Sequence, residues 1–347
     1  MTLDWVVPKG TVVLATGGTG FIGAHCIQVL LENGFKVRAA VRSKTKGEQL
    51  VKSFEQYKPA LTFGIIEDVS DYDSLVRLAE GCSGILHLAS PYTYAVKDFA
   101  KELLDPALKG TQAVMEAAAA HKSIKRVVIT SSFAAVFDAT KGLQPNVVLT
   151  EKDFSPLTYE DGVNTTDPAV AYRASKIVGE RAAWDFINQK KPSFDIAVLC
   201  PPMVYGPLAT TELLSSLDNL NFSNLTIWKM ATSGSATPVP PTKGPVYVDV
   251  RDLAFAHFRA LVVPEAANQR FMVSAGDFSN QEICDNLRDN LSTARAKHVP
   301  IGTPYQNTEP EHFTTDSSKA IDILGVTFRP IKDSVLDLVN QLYSYIE

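Results

Sequence analysis

Three glycines spaced three residues apart constrain this chain more than any other feature. Gly17, Gly20 and Gly23 stand in TGGTGFIG, between a short apolar run that predicts a strand and a stretch that predicts a helix. Glycine in this context permits a tight turn, lets backbone amides approach a pyrophosphate and allows close packing of helix on strand. Phe21 and Ile22 open the helix, whose N-terminus supplies positive potential for a phosphate. The motif therefore predicts a dinucleotide site, and the alternative is a glycine-rich turn without a ligand.

Short β-branched runs alternate with helical stretches over residues 1–200. This alternation is typical of a parallel sheet covered by helices on both faces. The predicted strands cover residues 11–15, 36–41, 61–66, 84–88, 126–130 and 195–200. The sequence therefore predicts an α/β fold built on a Rossmann-type doubly wound parallel sheet.

The pattern changes after Cys200. PPMVYGP is followed by irregular sequence and by the proline-rich TPVPPTKGP of residues 237–245. A strand at 246–250 and a helix at 252–262 then look regular, and we expect both to rejoin the main sheet. We therefore predict a cofactor-binding domain of residues 1–200 and about 244–263, and a smaller, discontinuous substrate-binding lobe of about 201–243 and 264–347.

Composition and charge exclude several classes of protein. The chain has 347 residues, a formal net charge of −5, 45% apolar residues and 20% charged residues, as an ordinary water-soluble fold has. No Lys/Arg cluster suits nucleic acid, and no apolar run of about eighteen residues suits a membrane span. Cys26, Cys82, Cys200 and Cys284 form no CxxC pair, so we predict no metal site. We expect the protein in the reducing cytoplasm, because the N-terminal sequence lacks the basic start and the cleavage site of a secretory leader.

Positive charge follows the second predicted strand, at Arg42, Lys44 and Lys46. A site that prefers NAD commonly has a carboxylate there, which accepts hydrogen bonds from the ribose hydroxyls. Arg42 and Lys46 instead suit a 2′-phosphate. These residues therefore favour NADP(H), and the alternative is that they solvate the start of a helix.

The ends of the next three strands carry further candidates for cofactor contact. Asp68 could accept from the adenine amino group, with Val69 beside it, or it could cap a helix. Ala89 and Ser90 are predicted to line the middle of the cofactor. Thr130 lies at the end of the fifth strand, where open α/β sheets place groups that contact ligands.

Tyr172 and Lys176 lie four residues apart on a helix predicted to open at Asp167 and Pro168, so they share one face. Ser132 follows the fifth strand in TSS. We predict that Tyr172 donates a proton to a carbonyl oxygen and that Ser132 hydrogen-bonds the same oxygen. Lys176 would lower the pKa of the phenol and hold the nicotinamide ribose. The alternatives are a turn serine, a half-buried core tyrosine and a solvated lysine.

These motifs, in this order and spacing, resemble the extended short-chain dehydrogenase/reductase family over essentially the whole chain. A closer similarity is to NADPH-dependent methylglyoxal and ketone or aldehyde reductases, relatives of dihydroflavonol reductase. It rests on HLASP at 87–91, TSSFAAVFD at 130–138, AAWDF at 182–186, PPMVYGP at 201–207 and VDVRDLA at 248–254. The resemblance implies an enzyme that reduces aldehydes and ketones to alcohols with NADPH.

The resemblance also implies roles for residues beyond the catalytic three. Pro201 and Val204 would contact the nicotinamide. Four residues fall in segments that line the substrate pocket of such enzymes: Tyr94, Phe133, Val163 and Tyr205. Each of them could instead pack the core. Residues 208–243 match no pattern of the family, so the sequence does not predict which carbonyl compound is reduced.

Two other functions stay open. A nucleotide-sugar epimerase or dehydratase shares the fold, the glycine loop and the Ser/Tyr/Lys set, but it retains bound NAD, which Arg42 disfavours. A non-catalytic NADP(H) sensor would signal through a protein partner and would not need the acid/base pair. We expect a small-molecule aldehyde or ketone substrate, and a monomer or a homodimer.

Overall fold

In residues 5–89, 96–306 and 309–347, which the computed structural model of this protein describes, seven strands form a central sheet. From edge to edge they are β10 (Gln269–Met272), β7 (Asp195–Cys200), β5 (Arg126–Thr130), β4 (Cys82–His87), β1 (Val12–Thr16), β2 (Lys36–Val41) and β3 (Leu61–Ile65). All neighbouring strands in this sheet are parallel. The six strands predicted for this region are present, each within two residues of its expected ends, which confirms the Rossmann-type fold.

Helices cover both faces of the central sheet. One face carries α1 (Phe21–Glu32), α2 (Lys44–Ser53) and α8 (Val250–Val262), and the other carries α3 (Tyr72–Ala79), α4 (Asp105–Ala119) and α6 (Pro168–Lys190). Val13 and Ala15 of β1 belong to the first layer of core, whereas Leu14 belongs to the second. The strand is buried on both sides, which explains its continuous apolar sequence.

The order of the strands in the central sheet reverses at β1. β2 and β3 lie on one side of it, whereas β4, β5, β7 and β10 lie on the other. The carboxyl ends of β1 and β4 therefore flank a topological switch point, where open α/β sheets bind their ligands.

A smaller sheet contains β8 (Met203–Tyr205), β9 (Val246–Asp249) and β11 (Gly276–Asp277). It shares a separate apolar core with α7 (Phe222–Thr232), α9 (Asn280–Asn290) and α11 (Ile331–Ile346). The shorter elements are α5 (Tyr159–Asn164), α10 (Thr293–Ala296) and the paired strands β6 (Val148–Leu149) and β12 (Thr314–Thr315).

The prediction that the strand near residues 246–250 rejoins the central sheet is wrong. β9 pairs with β8 and β11, and β10 takes the edge position beside β7. A β-branched run fits any half-buried pleated surface, so its pattern does not select its neighbours. The helix that follows, α8, does cover the central sheet as predicted. β10 comes from the segment assigned to the smaller lobe, and the division into two lobes stays a prediction.

The VDVRD segment joins β9 and α8 to the C-terminal helix. Asp249 is fully buried and accepts hydrogen bonds from Arg251 Nη2 at 2.8 Å and from Ser334 Oγ at 2.7 Å. Arg251 Nη1 also donates to Asp337 at 2.6 Å. These contacts hold α11 against the start of α8.

Three properties bear on the sequence expectations. None of the described helices is both long and apolar enough to cross a membrane. In the same residues, no group of three or more His, Cys, Asp or Glu side chains could hold a metal ion. The four cysteines are buried and free.

Candidate active site

Gly17, Gly20 and Gly23 lie in the loop between β1 and α1, where the backbone carries no side chains at these three positions. We call this loop the glycine cradle. Gly17 adopts a φ of +71°, and a Cβ on Gly23 would lie 2.1 Å from the Gly17 carbonyl oxygen. Gly20 donates its N–H to that oxygen at 3.0 Å and precedes α1. Phe21 and Ile22 are half-buried in the first turn of α1, and this turn contains no acidic residue and has no side-chain cap. This arrangement fits the pyrophosphate of a dinucleotide.

A buried pair, Thr16 and His87, braces the loop after β4 against this cradle. Thr16 Oγ1 lies 3.0 Å from His87 Nδ1 and accepts the N–H groups of Leu88 and Ala89 at 3.2 Å each. Because the hydroxyl already accepts two hydrogen bonds, its own proton goes to the imidazole. Burial, with a smaller effect of the Lys176 charge, lowers the pKa of His87 to about 4, so the ring is neutral. Sequence reasoning missed this pair, whose members lie 71 positions apart.

Arg42 and Lys46 present positive charge beyond the end of β2. Both are exposed, and in the ranges that the structure describes neither side chain forms an ion pair or a hydrogen bond. Lys44 instead pairs with Glu48 at 3.7 Å. The cap of α2 is Ser43, so the start of this helix does not require Arg42. The two cations are therefore available to a phosphate group at this edge of the site.

Two predicted cofactor contacts follow β3. The carboxylate of Asp68 is exposed and accepts the amide two residues further on at 2.9 Å. Asp68 is not the cap of α3, because Asp71 takes that position. Val69 is half-buried and packs against α4. Ser90 and Tyr94 lie outside the described residues.

Helix α6 brings the predicted catalytic pair to the end of β5. The helix begins as predicted, with Asp167 accepting a first-turn N–H at 2.8 Å and Pro168 in the first position. Lys176 Nζ donates to the Thr130 carbonyl oxygen at 3.4 Å. Tyr172 is half-buried one turn earlier, on the same face of the helix.

Burial sets the protonation of Lys176. Removal from water lowers the pKa of Lys176 to about 8, and the Glu180 carboxylate one turn further on opposes this shift. At neutral pH the ammonium form therefore still predominates.

Ser132 begins a short turn directly after β5. Its Oγ accepts the Ala134 N–H at 3.1 Å, and its own proton can serve another acceptor. The Phe133 N–H donates to the Pro201 carbonyl at 2.8 Å, which sets the ends of β5 and β7 side by side. Pro201 and Val204 are buried at this junction.

His257 on α8 orients the Thr130 side chain. Its Nδ1 lies 2.8 Å from the Leu253 carbonyl, which can only accept, so Nδ1 carries the proton. Nε2 then accepts from the Thr130 hydroxyl at 2.7 Å. Burial lowers the pKa of His257 to about 4 and keeps the ring neutral. Sequence reasoning missed this residue, since a histidine on an apolar helix face carries no distinctive pattern.

The described substrate-pocket candidates lie in different surroundings. The Phe133 ring packs against Phe313, with centroids 5.2 Å apart, beside the Ser132 turn. Val163 is exposed on α5. Tyr205 is 3% exposed and packs edge-on against Phe278 in the core of the smaller sheet. Contact of these three residues with a substrate stays a prediction.

A doubly wound parallel sheet with a glycine cradle at its switch point defines the dinucleotide-binding class of α/β proteins. The chain belongs to the NAD dependent epimerase/dehydratase family, which matches residues 13–275.

Several proteins are similar to almost the whole length of this chain, and they are reductases or oxidoreductases. An uncharacterised oxidoreductase of Schizosaccharomyces pombe is 40% identical over 98% of this chain and 99% of its own length. The ketoreductase azaE of Aspergillus niger is 37% identical over 95% of this chain and 97% of its own. The crystal structure of yeast methylglyoxal/isovaleraldehyde reductase Gre2 complexed with NADPH matches with a TM-score of 0.87 and 30% identity, covering 96% of this chain and 99% of that one. These similarities confirm the predicted resemblance.

Proposed function

We propose that this protein is an NADPH-dependent carbonyl reductase that converts an aldehyde or ketone to the alcohol. The observation that carries the proposal is the Lys176 ammonium, anchored at 3.4 Å on the Thr130 carbonyl next to the Ser132 turn. Tyr172 precedes it by one helical turn, so a proton donor, a hydrogen-bond donor and a tuning charge share the carboxyl edge of the sheet. The relatives named as a ketoreductase and a methylglyoxal reductase support this reaction class.

The chain's own side chains act on the carbonyl oxygen of the substrate. Bound NADPH supplies the hydride to the carbonyl carbon. Tyr172 donates its phenolic proton to the oxygen, and Ser132 donates a hydrogen bond to the same atom as negative charge develops. The Lys176 ammonium stabilises the phenolate that is left, and each pKa unit of that stabilisation is worth about 1.4 kcal/mol. Lys176 would also hold the nicotinamide ribose of bound NADPH.

Two surfaces support NADPH as the cofactor. The glycine cradle accommodates the pyrophosphate, as the 2.1 Å approach of a Cβ on Gly23 to the backbone indicates. Arg42 and Lys46 offer charge for the 2′-phosphate at the end of β2. The solved Gre2 structure contains NADPH, which agrees with this choice. Asp68, together with Ala89, would contact the remaining parts of the cofactor.

Oxidation of NADPH in the presence of a panel of aldehydes and ketones tests the proposal. Wild-type protein should oxidise NADPH with at least one compound, and Tyr172→Phe should abolish turnover while it still binds NADPH. Tyr72→Phe, which removes a partly exposed phenol on α3, is the matched control and should keep full activity.

Three results would contradict the proposal in different ways. Turnover that survives in Tyr172→Phe would remove this residue as proton donor. Purified protein that carries NAD and ignores NADPH would indicate an epimerase or dehydratase. Tight NADPH binding without turnover of any carbonyl compound would indicate a sensor.

We also propose that the smaller sheet, with α7, α9 and α11, belongs to the substrate lobe. Residues 208–243, which enter this lobe, would select the carbonyl compound. A cytoplasmic location is proposed on the four buried, unpaired cysteines, which suit a reducing compartment. Whether the protein is a monomer or a homodimer stays a prediction.

A further inference from the structure

A buried carboxylate lies one helical turn beyond Lys176. Glu180 is 2% exposed, and its oxygens accept hydrogen bonds from the Ser131 hydroxyl, from Trp184 Nε1 at 3.1 Å and from Arg270 Nε at 2.6 Å. The reaction described above makes no use of this carboxylate.

Arg270 reaches Glu180 from the edge strand β10. It is 5% exposed, and its Nη2 donates both to Glu180 at 3.2 Å and to the Ala135 carbonyl at 3.1 Å. Its Nη1 donates to the Glu151 carbonyl at 2.9 Å, and the Phe154 ring covers the guanidinium at 3.9 Å. Arg270 thus connects the end of the sheet to the loop that follows β5.

The hydrogen bonds of Glu180 with Ser131 and of Arg270 with Ala135 lie on either side of Ser132. Ser131, held by Glu180, comes directly before Ser132, and Ala135, held by Arg270, closes the turn that Ser132 begins. Helix α6, which carries Lys176, supplies Glu180 itself. One ion pair therefore anchors both the serine turn and the lysine helix.

Stability alone does not account for such a pair. Removing two charges from water costs about as much as their attraction returns, and apolar residues of similar size often stabilise a fold equally well. Two partners of the pair, Ser131 and Ala135, instead flank Ser132, and Glu180 itself lies on the helix that carries Lys176, while Arg270 also donates to the Glu151 and Asp153 carbonyls. This distribution points to a role in the geometry of the site.

We propose that Glu180 and Arg270 are positioning residues of the reductase, which fix the Ser132 turn and place a negative charge beside the Lys176 ammonium. The inference rests on the proposed function, because it concerns the reaction of the same site.

Glu180 supplies the negative charge that acts on Lys176. In the described part of the chain, the other ionisable groups that interact with Lys176 from neighbouring strands are His87 on β4 and Cys200 on β7. Burial lowers the pKa of His87 to about 4 and raises the pKa of the Cys200 thiol, so both are neutral near pH 7. Arg270 faces Glu180 from β10, and its positive charge partly balances the negative charge of Glu180. The carboxylate of Glu180 favours the charged form of Lys176.

The pH dependence of kcat in Glu180→Gln distinguishes this role from a merely structural one. Activity requires both the Tyr172 proton and the Lys176 ammonium, so kcat falls at high pH when either is lost. Removing a negative charge favours loss of a proton from both groups. The fall in kcat should therefore move to lower pH by about one unit or more, whichever group loses its proton first.

Three further variants complete the test. Glu180→Asp keeps the charge and should restore the position of the high-pH fall. Ser131→Ala removes one hydrogen bond and no charge, so kcat should drop without a shift in pH. Glu265→Gln, an exposed change in the turn after α8, should keep the wild-type profile.

A folded Glu180→Gln protein with wild-type kcat and an unmoved profile would overturn the proposal. If that variant does not fold, Ser131→Ala decides, because wild-type kcat there would overturn it equally. Failure of the proposed function is recognised separately, as wild-type protein that reduces no carbonyl compound.

Discussion

A methyl group added to Gly23 tests the glycine cradle directly. In Gly23→Ala the Cβ would lie 2.1 Å from the Gly17 carbonyl oxygen and 2.9 Å from the Gly18 Cα. Both are backbone atoms, which cannot rotate away, and real Cβ atoms essentially never make contacts this short. The Gly17 oxygen must therefore move, which disturbs the 3.0 Å hydrogen bond that it accepts from Gly20.

The expected magnitude follows from three contributions to the free energy of unfolding. Overpacking typically costs about 1–3 kcal/mol, and the lost turn hydrogen bond costs about 1 kcal/mol. Alanine is preferred to glycine inside a helix by about 1 kcal/mol, which offsets part of the loss. We therefore expect cofactor-free Gly23→Ala to be less stable by about 2 kcal/mol. Because the displaced oxygen belongs to the cradle, NADPH should bind about tenfold more weakly or worse.

Urea unfolding of cofactor-free protein and a fluorescence titration with NADPH measure the two effects separately. Gly20→Ala is the matched control, since Gly20 has a φ of −82° and a Cβ there would lie 3.2 Å from the Gly17 oxygen. Its unfolding free energy should stay within about 1 kcal/mol of wild type. Its NADPH binding should still weaken, because the methyl group stands where backbone must approach the pyrophosphate. Wild-type stability of Gly23→Ala, or a larger loss in Gly20→Ala, would refute this reasoning.

Two further predictions concern cofactor choice and pH. Arg42→Ala should weaken NADPH binding by about tenfold to a hundredfold and NADH binding far less, because one charge-assisted contact worth about 1.5–3 kcal/mol is lost. Lys36→Ala, an exposed change at the start of β2, is the control, and equal weakening of both nucleotides would contradict the assignment. Burial lowers the pKa of folded His257 from 6.5 to about 4, so between these values the unfolded chain binds more protons and stability falls as pH falls. That difference in pKa corresponds to about 3 kcal/mol of stability. The free energy of unfolding of His257→Gln, measured with urea, should therefore fall less steeply than that of wild type from pH 6.5 to 4. The same pH dependence in both proteins would show that His257 does not cause the loss of stability.

Several features of the candidate site were readable from short stretches of sequence. The spacing of Gly17, Gly20 and Gly23 specifies a tight turn in which Gly23 approaches the Gly17 backbone, a contact within the motif itself. The start of α6 follows from a capping residue and a proline, which act within the first turn. Tyr172 and Lys176 share a face because four residues make about one helical turn. Such features depend on local backbone geometry.

Other features depend on partners that the chain brings together from a distance. β9 and β10 both have strand-like sequences, yet β9 enters the smaller sheet and β10 the central one. The pattern of a strand indicates which faces are buried, but it does not select the strand beside it.

The same is true of the buried polar pairs around the site. Thr16 and His87 lie 71 positions apart, Glu180 and Arg270 lie 90 apart, and the partners Thr130 and His257 lie 127 apart. A buried polar group requires a partner, but which partner it meets is settled by the packing of all the layers together. These long-range contacts set the protonation and the geometry of the site, whereas its residue types were already legible in short motifs.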